Sequence, residues 1–353
     1  MMWFSGAKKD KYIGVDIGSQ AIKVCHLIQR QKGIFLNNFG LANLPPSSIV
    51  NGAIKEPQLI AKSLQSLFTH LQIPSKEIVF AISGYSVIIK KINLPSMTEK
   101  ELSQSIQYEA QQHIPFDIKE VNLDFQILGP LKEDPDSLSV LLVAVKKETL
   151  NAFLEVFNLA GLEACIADVA ALALANAYEM KYPLSGSPVA LINLGASQIT
   201  VHILSQDGPV FTRDIFLGGR QLTEQIQSQL GLSFEEAEKV KLMWDRSPDQ
   251  LDQIGPSFLS VVQTWMDEIK KILDVLTASD PETKPTKIVL SGGSSLLPGL
   301  PQFLSKGLQL PVELFNPFSL VQTDPDLFDP KYIQSLGPQM AIAFGLALRQ
   351  KGA

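Results

Sequence analysis

The sequence predicts an α/β protein of two similar domains that face each other across a cleft, with a smaller unit inserted into the first domain. Residues 11–28 have the pattern of a strand, a short polar turn and a second strand, and residues 189–204 repeat that order. Residues 86–160 contain strand and helix patterns of their own. A chain of 353 residues also exceeds one ordinary domain of ~100–200 residues, so at least two domains are expected.

The first hairpin carries residue types that suit phosphate. An apolar run from Tyr12 to Val15 is followed by Asp16, Gly18 and the hydroxyl residue Ser19. Glycine lets the backbone approach an anion closely, and successive N–H groups in a turn can hold phosphate oxygens. A carboxylate can hold Mg²⁺ through water, because this ion dehydrates reluctantly. Plain hairpin turns use the same residue types, so this stretch alone leaves both interpretations open.

The second hairpin favours the phosphate interpretation. The sequence DIGSQ of residues 16–20 matches NLGASQ of residues 193–198 in position and in its central glycine. Two turns of one kind stand at the head of the two halves of the chain. The repeat predicts one two-sided phosphate site rather than two unrelated hairpins.

Composition and charge exclude several classes of protein. Hydrophobic residues make up 45% of the chain and charged residues 19%, which is typical of a folded globular protein. The net charge is -6 and no basic stripe is visible. Because phosphate neutralisation needs clustered Lys and Arg, a nucleic-acid partner is not expected.

Cysteines and histidines give no metal or disulfide pattern. Cys25 and Cys165 each lie in an apolar run, as buried thiols do in a reducing compartment. The four histidines are scattered without metal-ligand spacing. The first residues lack the apolar region of a signal peptide, and no run approaches the ~20 apolar residues that span a bilayer. A cytoplasmic protein without direct membrane insertion is expected.

Apolar spacing predicts the elements of the first half. A capping-box pattern at Thr98 opens one of the helices. The sequence YPLSGSP at residues 182–188 interrupts the helical pattern and predicts a linker. The predicted helices are 57–71, 98–114, 147–160 and 166–180, and the predicted strands are 33–44, 77–82, 86–95, 121–128 and 138–145.

The second half predicts a strand that runs through Gly218 and Gly219 into a helix, and a long helix at residues 257–279. A strand at residues 287–290 leads through a glycine pair directly into a helix, whose N-terminus favours a phosphate or a ribose hydroxyl. Residues 338–349 predict a helix of small residues suited to close packing.

Four motifs in order carry a family resemblance: VDIGSQAIKV, LINLGASQITV, FLGGRQLTEQI and IVLSGGSSLLPG. They resemble the two phosphate loops, the ribose-side glycines and the adenosine loop of the actin-like ATPase superfamily. Within it, KINLPSMTEKELSQSIQYEAQQHIPF with VNLDFQIL, and FTRDIFLGGRQLTEQI, resemble the PilM family of type IV pilus assembly. The likeness covers nearly the whole chain, and the block at residues 90–128 is its most specific part.

The resemblance implies the FtsA-like form of the two-lobed actin-like ATPase fold, which is ribonuclease H-like and carries an inserted subdomain 1C. The insertion agrees with the separate block seen at residues 86–160. The implied subdomains are 1A at residues 1–85 with 161–185 and 336–353, 1C at 86–160, 2A at 186–221 with 283–335, and 2B at 222–282.

The resemblance also implies ATP and Mg²⁺ as ligands between the lobes. Asp16 would hold Mg²⁺ through water. Glu238 and Lys241, three residues apart on one helix, would flank the nucleoside, although such a pair is also typical of a solvated helix face. The other implied contacts are Gly18, Ser19 and Gln20 to phosphates, Asn193, Gly195, Ala196 and Ser197 in the facing loop, Gly218 and Gly219 at the ribose, and Gly292, Gly293 and Ser294 at the adenosine.

Two departures from the family pattern bear on hydrolysis. The second loop usually carries Asp where this chain has Asn193. The connecting helix usually offers an acid; here Asp168 is the nearest, and one register places Ala170 at the acidic position. Phosphoryl transfer depends on positioning and electrostatic stabilisation, and one lost contact can cost several kcal/mol. We expect ATP binding with weak or absent ATPase activity, and Asp168 is the acid to consider for catalysis.

The implied partner is the N-terminal cytoplasmic peptide of the inner-membrane protein PilN, bound between subdomains 1A and 1C near residues 83–94. Other proteins of the pilus assembly platform and a homo-oligomer are further expectations. The resemblance places the chain at the inner face of the cytoplasmic membrane through its partners, in pilus biogenesis and twitching motility.

One alternative is a filament-forming cell-division protein of the FtsA type. Such proteins add a linker and a C-terminal amphipathic helix that binds membranes. The present sequence closes with LALRQKGA after the small-residue helix, which favours the scaffold.

A second alternative is a small-molecule kinase of the same fold. Such an enzyme needs a catalytic Asp in the substrate cleft of its first lobe. The acids to consider are Asp117 and Asp124, which both lie in the inserted block. The fold alone does not separate these functions, since one architecture hosts many.

Overall fold

The computed structural model describes residues 12–50, 52–131, 133–180, 182, 186–243 and 248–349. These residues form two compact units. The described residues of the first lie within the ranges Met1–Ile82, Ala152–Pro183 and Phe315–Ala353, and those of the second lie within Ser83–Asn151 and Leu184–Leu314. The linker predicted at residues 182–188 lies partly outside the described residues.

The described chain begins with five consecutive strands and later has three consecutive strands followed by three α-helices. The strands are β1 (Ile13–Ile17), β2 (Ala21–Arg30), β3 (Gly33–Asn43), β4 (Ile49–Val50), β5 (Ala53–Ile54), β6 (Glu77–Ile82), β7 (Val87–Pro95), β8 (Val121–Pro130), β9 (Ser137–Lys146), β10 (Glu163–Val169), β11 (Val189–Leu194), β12 (Ile199–Ser205), β13 (Gly208–Ile215), β14 (Lys287–Ser291) and β15 (Val312–Leu314). The α-helices are α1 (Pro57–His70), α2 (Glu99–Gln111), α3 (Lys147–Ala160), α4 (Ala170–Glu179), α5 (Gly219–Leu230), α6 (Phe234–Met243), α7 (Pro248–Ser279), α8 (Leu300–Leu308), α9 (Pro330–Leu336) and α10 (Ala341–Ala347).

The first unit is built on a five-stranded sheet in the order β3-β2-β1-β6-β10. β1 and β2 form an antiparallel hairpin, and β3 continues it in antiparallel pairing. β6 pairs parallel to β1 and β10 parallel to β6. All five residues of β1 are buried, as expected for a central strand whose two faces are both covered.

The second unit repeats this sheet strand for strand, in the order β13-β12-β11-β14-β15. β11, β12 and β13 are antiparallel neighbours, and β14 and β15 add in parallel. The two domains predicted from the repeated hairpin therefore have the same sheet topology. A core that includes the fully buried Trp265 of α7 covers the second sheet.

A smaller antiparallel sheet in the order β7-β9-β8 forms the inserted part of the second unit. α2 covers it with Leu102, Ile106 and Ala110. The predicted capping box is present: the Glu101 amide donates to Thr98 Oγ1 at 3.3 Å, and the Thr98 amide donates to Glu101 Oε2 at 2.8 Å. This local pattern fixes the start of the helix, since it satisfies two amides without intrahelical partners.

Two segments contact the first sheet although the predicted subdomain boundaries group them with other parts of the chain. α3, which the sequence groups with the inserted block, packs Phe157 against Phe80 of β6 at 4.7 Å between ring centroids. Residue Gln322 bonds in both directions to β3, through the Leu36 amide at 2.9 Å and the Ile34 carbonyl at 3.0 Å. α3 thereby packs on the first sheet, and Gln322 extends its β3 edge. The subdomain names and boundaries stay a prediction.

Three element predictions were wrong in part. Residues 166–169 belong to β10 and not to a helix, because Asp168 and its neighbours pair with β6. The glycine pair after β14 leads into a 3₁₀ turn at Gly293–Leu296, and the α-helix begins only at Leu300. The long helix α7 begins at Pro248, nine residues before the predicted start.

The small residues of α10 allow backbone contact on two sides, as the sequence predicts. A Cβ atom added to Gly345 would lie 1.8 Å from the Ala173 carbonyl oxygen of α4. A Cβ added to Gly14 of β1 would lie 2.0 Å from the Ala343 carbonyl oxygen. Neither backbone neighbour can yield like a flexible side chain, so glycine is required for α10 to pack here.

We therefore expect Gly345→Ala to destabilise the protein by about 2 kcal/mol through overpacking. The matched control is Gly255→Ala in α7, where an added Cβ meets no atom within 4 Å. Because alanine favours helix over glycine, the control is expected to leave the unfolding midpoint unchanged or higher. Thermal unfolding followed by circular dichroism measures both. Equal midpoints for the two variants would contradict this close packing of α10.

Candidate functional site

The two hairpins close with the same turn geometry. In the first turn (residues 18–21), the Gly18 amide donates to the Ala21 carbonyl at 3.0 Å. In the second turn (residues 195–198), the Gly195 amide donates to the Gln198 carbonyl at 2.9 Å. Each turn follows a central strand at the carboxyl end of the parallel part of its sheet. Ligands of open α/β sheets bind at this edge.

Asp16 is the penultimate residue of β1 and pairs across the hairpin with Lys23. Lys23 Nζ donates to Asp16 Oδ2 at 2.9 Å, and both side chains are mostly buried. The ammonium also lies against Gly18, since a Cβ added there would be 2.9 Å from Nζ. The first turn therefore presents one carboxylate and one ammonium, suited to a metal ion and a phosphate respectively.

Asp168 lies at the carboxyl end of β10, on the same edge of the first sheet as Asp16. Its Oδ2 accepts from Arg349 Nε at 2.9 Å and from Arg349 Nη2 at 2.7 Å. Its Oδ1 accepts from the Val169 amide at 2.8 Å. Both carboxylate oxygens are thus engaged by donors. This arrangement does not favour a general base, which must be able to accept a proton from the attacking water.

The second turn is in direct contact with the two glycines predicted at the ribose. The Gly219 amide donates to the Gly195 carbonyl at 3.0 Å. Ser294 Oγ donates to the same carbonyl at 3.0 Å. A Cβ on Gly219 would lie 2.3 Å from Ser294 Oγ, so a side chain there would displace this hydroxyl from the Gly195 carbonyl. Three predicted segments that are far apart in sequence meet here. The amides of Gly195 and Gly219 are used internally, whereas the Ala196 amide has no hydrogen-bond partner among the described residues.

Asn193 lies beside Ser291 at the ends of β11 and β14. Ser291 Oγ donates to Asn193 Oδ1 at 3.3 Å. Gly292 follows with φ +87° and lies so close that an added Cβ would be 2.4 Å from the Leu194 carbonyl oxygen. The carboxamide therefore takes the position that Asp16 has in the first sheet, but it brings no charge.

Glu238 and Lys241 do not form a solvated pair on the helix surface. Lys241 is 4% exposed, and its ammonium bonds to Glu238, to Thr223 Oγ1 at 3.0 Å and to the Gly219 carbonyl at 3.3 Å. Thr223 also donates to Glu238. Burial lowers the pKa of Lys241, and the charge of Glu238 opposes that shift. This buried cluster ties α6 to the start of α5 beside Gly219.

The residues fit a magnesium ion held through water better than one held by a protein cage. No group of three or more metal-ligating side chains exists in the part of the chain described. Asp16 offers one carboxylate, and Mg²⁺ commonly binds through one or two carboxylates while keeping several waters. The Lys23 ammonium would have to give up Asp16 Oδ2 to such an ion.

Sequence reasoning missed three residues that complete these contacts: Lys23, Thr223 and Arg349. The hairpin register would have paired Lys23 with Asp16, because residues opposite each other in an antiparallel pair are neighbours. Thr223 lies four residues after Gly219 on the same helix face. No local signal links Arg349 to Asp168, since 181 positions separate them.

A family model described as type IV pilus assembly protein PilM matches residues 14–351 of the chain. The chain belongs to the PilM family. The sheet topology is that of an actin-like ATPase, in agreement with the fold predicted from the motifs.

Two structures and one curated relative illustrate the likeness. A solved structure of a PilM-PilN type IV pilus biogenesis complex has 29% identity and a TM-score of 0.84, over 97% of this chain and 98% of that one. MreB5 of Spiroplasma citri bound to AMPPNP shares the fold at 13% identity and a TM-score of 0.50, over 96% and 95% of the two chains. Cell division protein FtsA of Bacillus subtilis (strain 168) is 23% identical over 92% of this chain and 82% of its own length.

In this PilM family chain, no helix among the described residues is long and apolar enough to cross a membrane.

The buried cluster of this PilM family member gives a stability prediction. Lys241→Met leaves Glu238 mostly buried without its cation, which is expected to cost about 3 kcal/mol. The control Lys239→Met changes an exposed lysine of the same helix and is expected to cost little. Urea unfolding measures both variants.

The double variant Glu238→Gln with Lys241→Met separates charge from packing. Since the buried charge is then removed with its partner, this variant is expected to be more stable than Lys241→Met alone. If the double variant is no more stable than Lys241→Met, the unpaired charge of Glu238 does not account for the loss.

Proposed function

We propose that this chain is a nucleotide-binding scaffold of type IV pilus assembly that binds ATP with Mg²⁺ and the N-terminal cytoplasmic peptide of PilN. Membership of the PilM family provides the assembly role. The observation that carries the nucleotide half is the convergence of the second turn, Gly219, Ser294 and the buried Lys241 in one unit. The remaining residues proposed to contact ATP are Asp16, Gly18, Ser19, Gln20, Asn193, Ala196, Ser197, Gly218, Glu238, Gly292 and Gly293.

Two features support binding without efficient hydrolysis. Asn193 stands at the strand end that matches Asp16, so the second turn adds no negative charge for a metal ion. Asp168 is held on both oxygens by Arg349 and the Val169 amide. Because phosphoryl transfer depends on electrostatic stabilisation, we propose that the nucleotide acts as a bound effector and is hydrolysed slowly or not at all.

Asp16→Asn tests the magnesium part of this proposal. We expect the affinity for ATP with Mg²⁺ to fall about tenfold, equal to ~1.4 kcal/mol, because the carboxylate that holds the hydrated ion is lost. Affinity for metal-free ATP is expected to stay equal or rise, since Lys23 loses its partner. Calorimetry with each form of ATP gives both numbers. The control Asp274→Asn removes an exposed carboxylate of α7. The absence of any heat of binding for wild-type protein with Mg-ATP would refute the nucleotide proposal.

The PilN partner rests on the similarity to the PilM of a PilM-PilN complex, which extends over nearly the whole of both chains. β7 offers a plausible surface, because within the described residues it is an edge strand that pairs with β9 alone. An extended peptide can add to such an edge by main-chain hydrogen bonds. Through PilN the chain would lie at the inner face of the cytoplasmic membrane, near other platform proteins.

A peptide of the PilN cytoplasmic N-terminus is expected to bind the folded wild-type protein, while a scrambled peptide of the same composition is not. Fluorescence anisotropy with a labelled peptide measures this in the presence and absence of Mg-ATP. Folded protein that binds neither peptide in either condition would overturn the partner assignment and leave the nucleotide result intact.

The kinase alternative gains no support from its two acids. Asp117 accepts the Lys119 amide at 2.9 Å as the cap of a 3₁₀ turn, and Asp124 accepts the Phe125 amide on β8. Both lie beside the inserted sheet, and neither belongs to the turns at the carboxyl ends of the central strands. The FtsA alternative rests on distant similarity, at 23% identity.

A further inference from the structure

The turn that leads into the inserted sheet (residues 83–86, called the Gly84 turn) is held by a strand of another sheet. The Gly84 amide donates to Asp214 Oδ2 at 2.9 Å. Tyr85 stacks on Phe216, with ring centroids 3.6 Å apart and an angle of 14° between the planes. Asp214 belongs to β13, the edge strand of the second five-stranded sheet. The start of the inserted part is thus fixed to that sheet by one hydrogen bond and one aromatic contact.

The same carboxylate is held from the other side by the second turn. Thr200 Oγ1 donates to Asp214 Oδ1 at 2.6 Å. Gln198, the last residue of the second turn, donates from Nε2 to Thr200 Oγ1 at 3.1 Å. Its Oε1 also lies next to Gly84, since an added Cβ there would be 3.3 Å away. The backbone of Gln198 closes the turn by accepting the Gly195 amide.

These four residues form one connected group, the Asp214 network (Gln198, Thr200, Asp214 and Gly84). Burial raises the pKa of Asp214, and donors from Thr200, Gly84 and Gln198 oppose that shift. The carboxylate is therefore desolvated and depends on its hydrogen-bond donors. The loss of one donor is expected to weaken the hydrogen bonds that Asp214 makes to the remaining donors. Gly84 has φ +89°, a conformation that favours glycine. Its amide is bound by Asp214 in this conformation.

We propose that the Asp214 network transmits the state of the second turn to the Gly84 turn, and through it to the inserted sheet. Phosphate bound at the second turn would hold Gln198, keep Thr200 and Asp214 in place and stabilise the Gly84 turn. An effect on the inserted sheet requires that nucleotide binds the held arrangement better than the released one. The nucleotide part of this inference rests on the proposed function, whereas the link between the two turns does not.

The Gly84 amide is a direct reporter, because hydrogen exchange at that position requires release from Asp214. Exchange is measured by mass spectrometry on peptides that begin at least three residues before Gly84 and extend to residue 95, first without nucleotide. We expect Asp214→Ala to speed exchange at the Gly84 turn about tenfold and Gln198→Ala to speed it several-fold. The matched control Arg213→Ala changes an exposed residue of the same strand and is expected to leave exchange as in wild type.

Two variants of Thr200 separate the loss of its hydrogen bond from a general effect of misfolding. Thr200→Ser keeps the donor hydroxyl and is expected to match wild type, whereas Thr200→Val keeps the shape, loses the hydroxyl and speeds exchange at the Gly84 turn. If folded Gln198→Ala and Thr200→Val both exchange at the wild-type rate, the network carries nothing between the two turns and the inference is wrong.

A second arm adds Mg-AMPPNP and measures its binding by calorimetry on the same samples. Slower exchange at the Gly84 turn in wild type and in Arg213→Ala, and not in Asp214→Ala, supports the inference. Bound nucleotide that leaves wild-type exchange unchanged overturns it. If no nucleotide binds, the proposed function fails, and the variants measured without nucleotide decide on the link between the turns.

Discussion

Parallel pairing of a hairpin strand with a strand from far along the chain is the constraint on which both five-stranded sheets depend. β1 pairs with β6 and β11 pairs with β14, and in each case the hairpin partner is antiparallel. This arrangement puts a turn headed by glycine at the carboxyl edge of each sheet. In the first sheet β10 brings Asp168 to that edge, and in the second sheet β14 brings Ser291 to the corresponding edge, because parallel strands end together.

The two turns have one backbone geometry but different charges. The first has Asp16 opposite Lys23, an ion pair whose carboxylate could bind a metal ion and whose ammonium could bind a phosphate. The second has Asn193 beside Ser291, which offers neutral dipoles only. The two sheets thus share one topology, but only the first has a carboxylate at the penultimate position of its central strand. In the proposed function the shared turn geometry would hold the nucleotide, whereas hydrolysis also needs charge placed where the transition state develops it.

The sequence could predict what depends on local pattern. The hairpins, the capping box at Thr98 and the strand β6 follow from short-range spacing, and the structure confirms them. Residues 166–169 were predicted as helix because an alanine-rich run follows them, and pairing with β6 overrode that preference. The pairing of Asp168 with Arg349 was out of reach, because neither residue carries a local signal for a partner 181 positions away. In the candidate site, the hairpin register could have paired Lys23 with Asp16, whereas no local pattern could have linked Arg349 to Asp168.

The buried side chains around Gly219 show why those partners matter. Lys241, Glu238 and Thr223 satisfy one another and the Gly219 carbonyl without any ligand. Ser294 and the Gly219 amide likewise meet at the Gly195 carbonyl. The part of the second unit proposed to contact the nucleoside is therefore held by its own hydrogen bonds. Such preorganisation lowers the entropic cost of binding, which is consistent with the proposed role of the nucleotide as a bound effector.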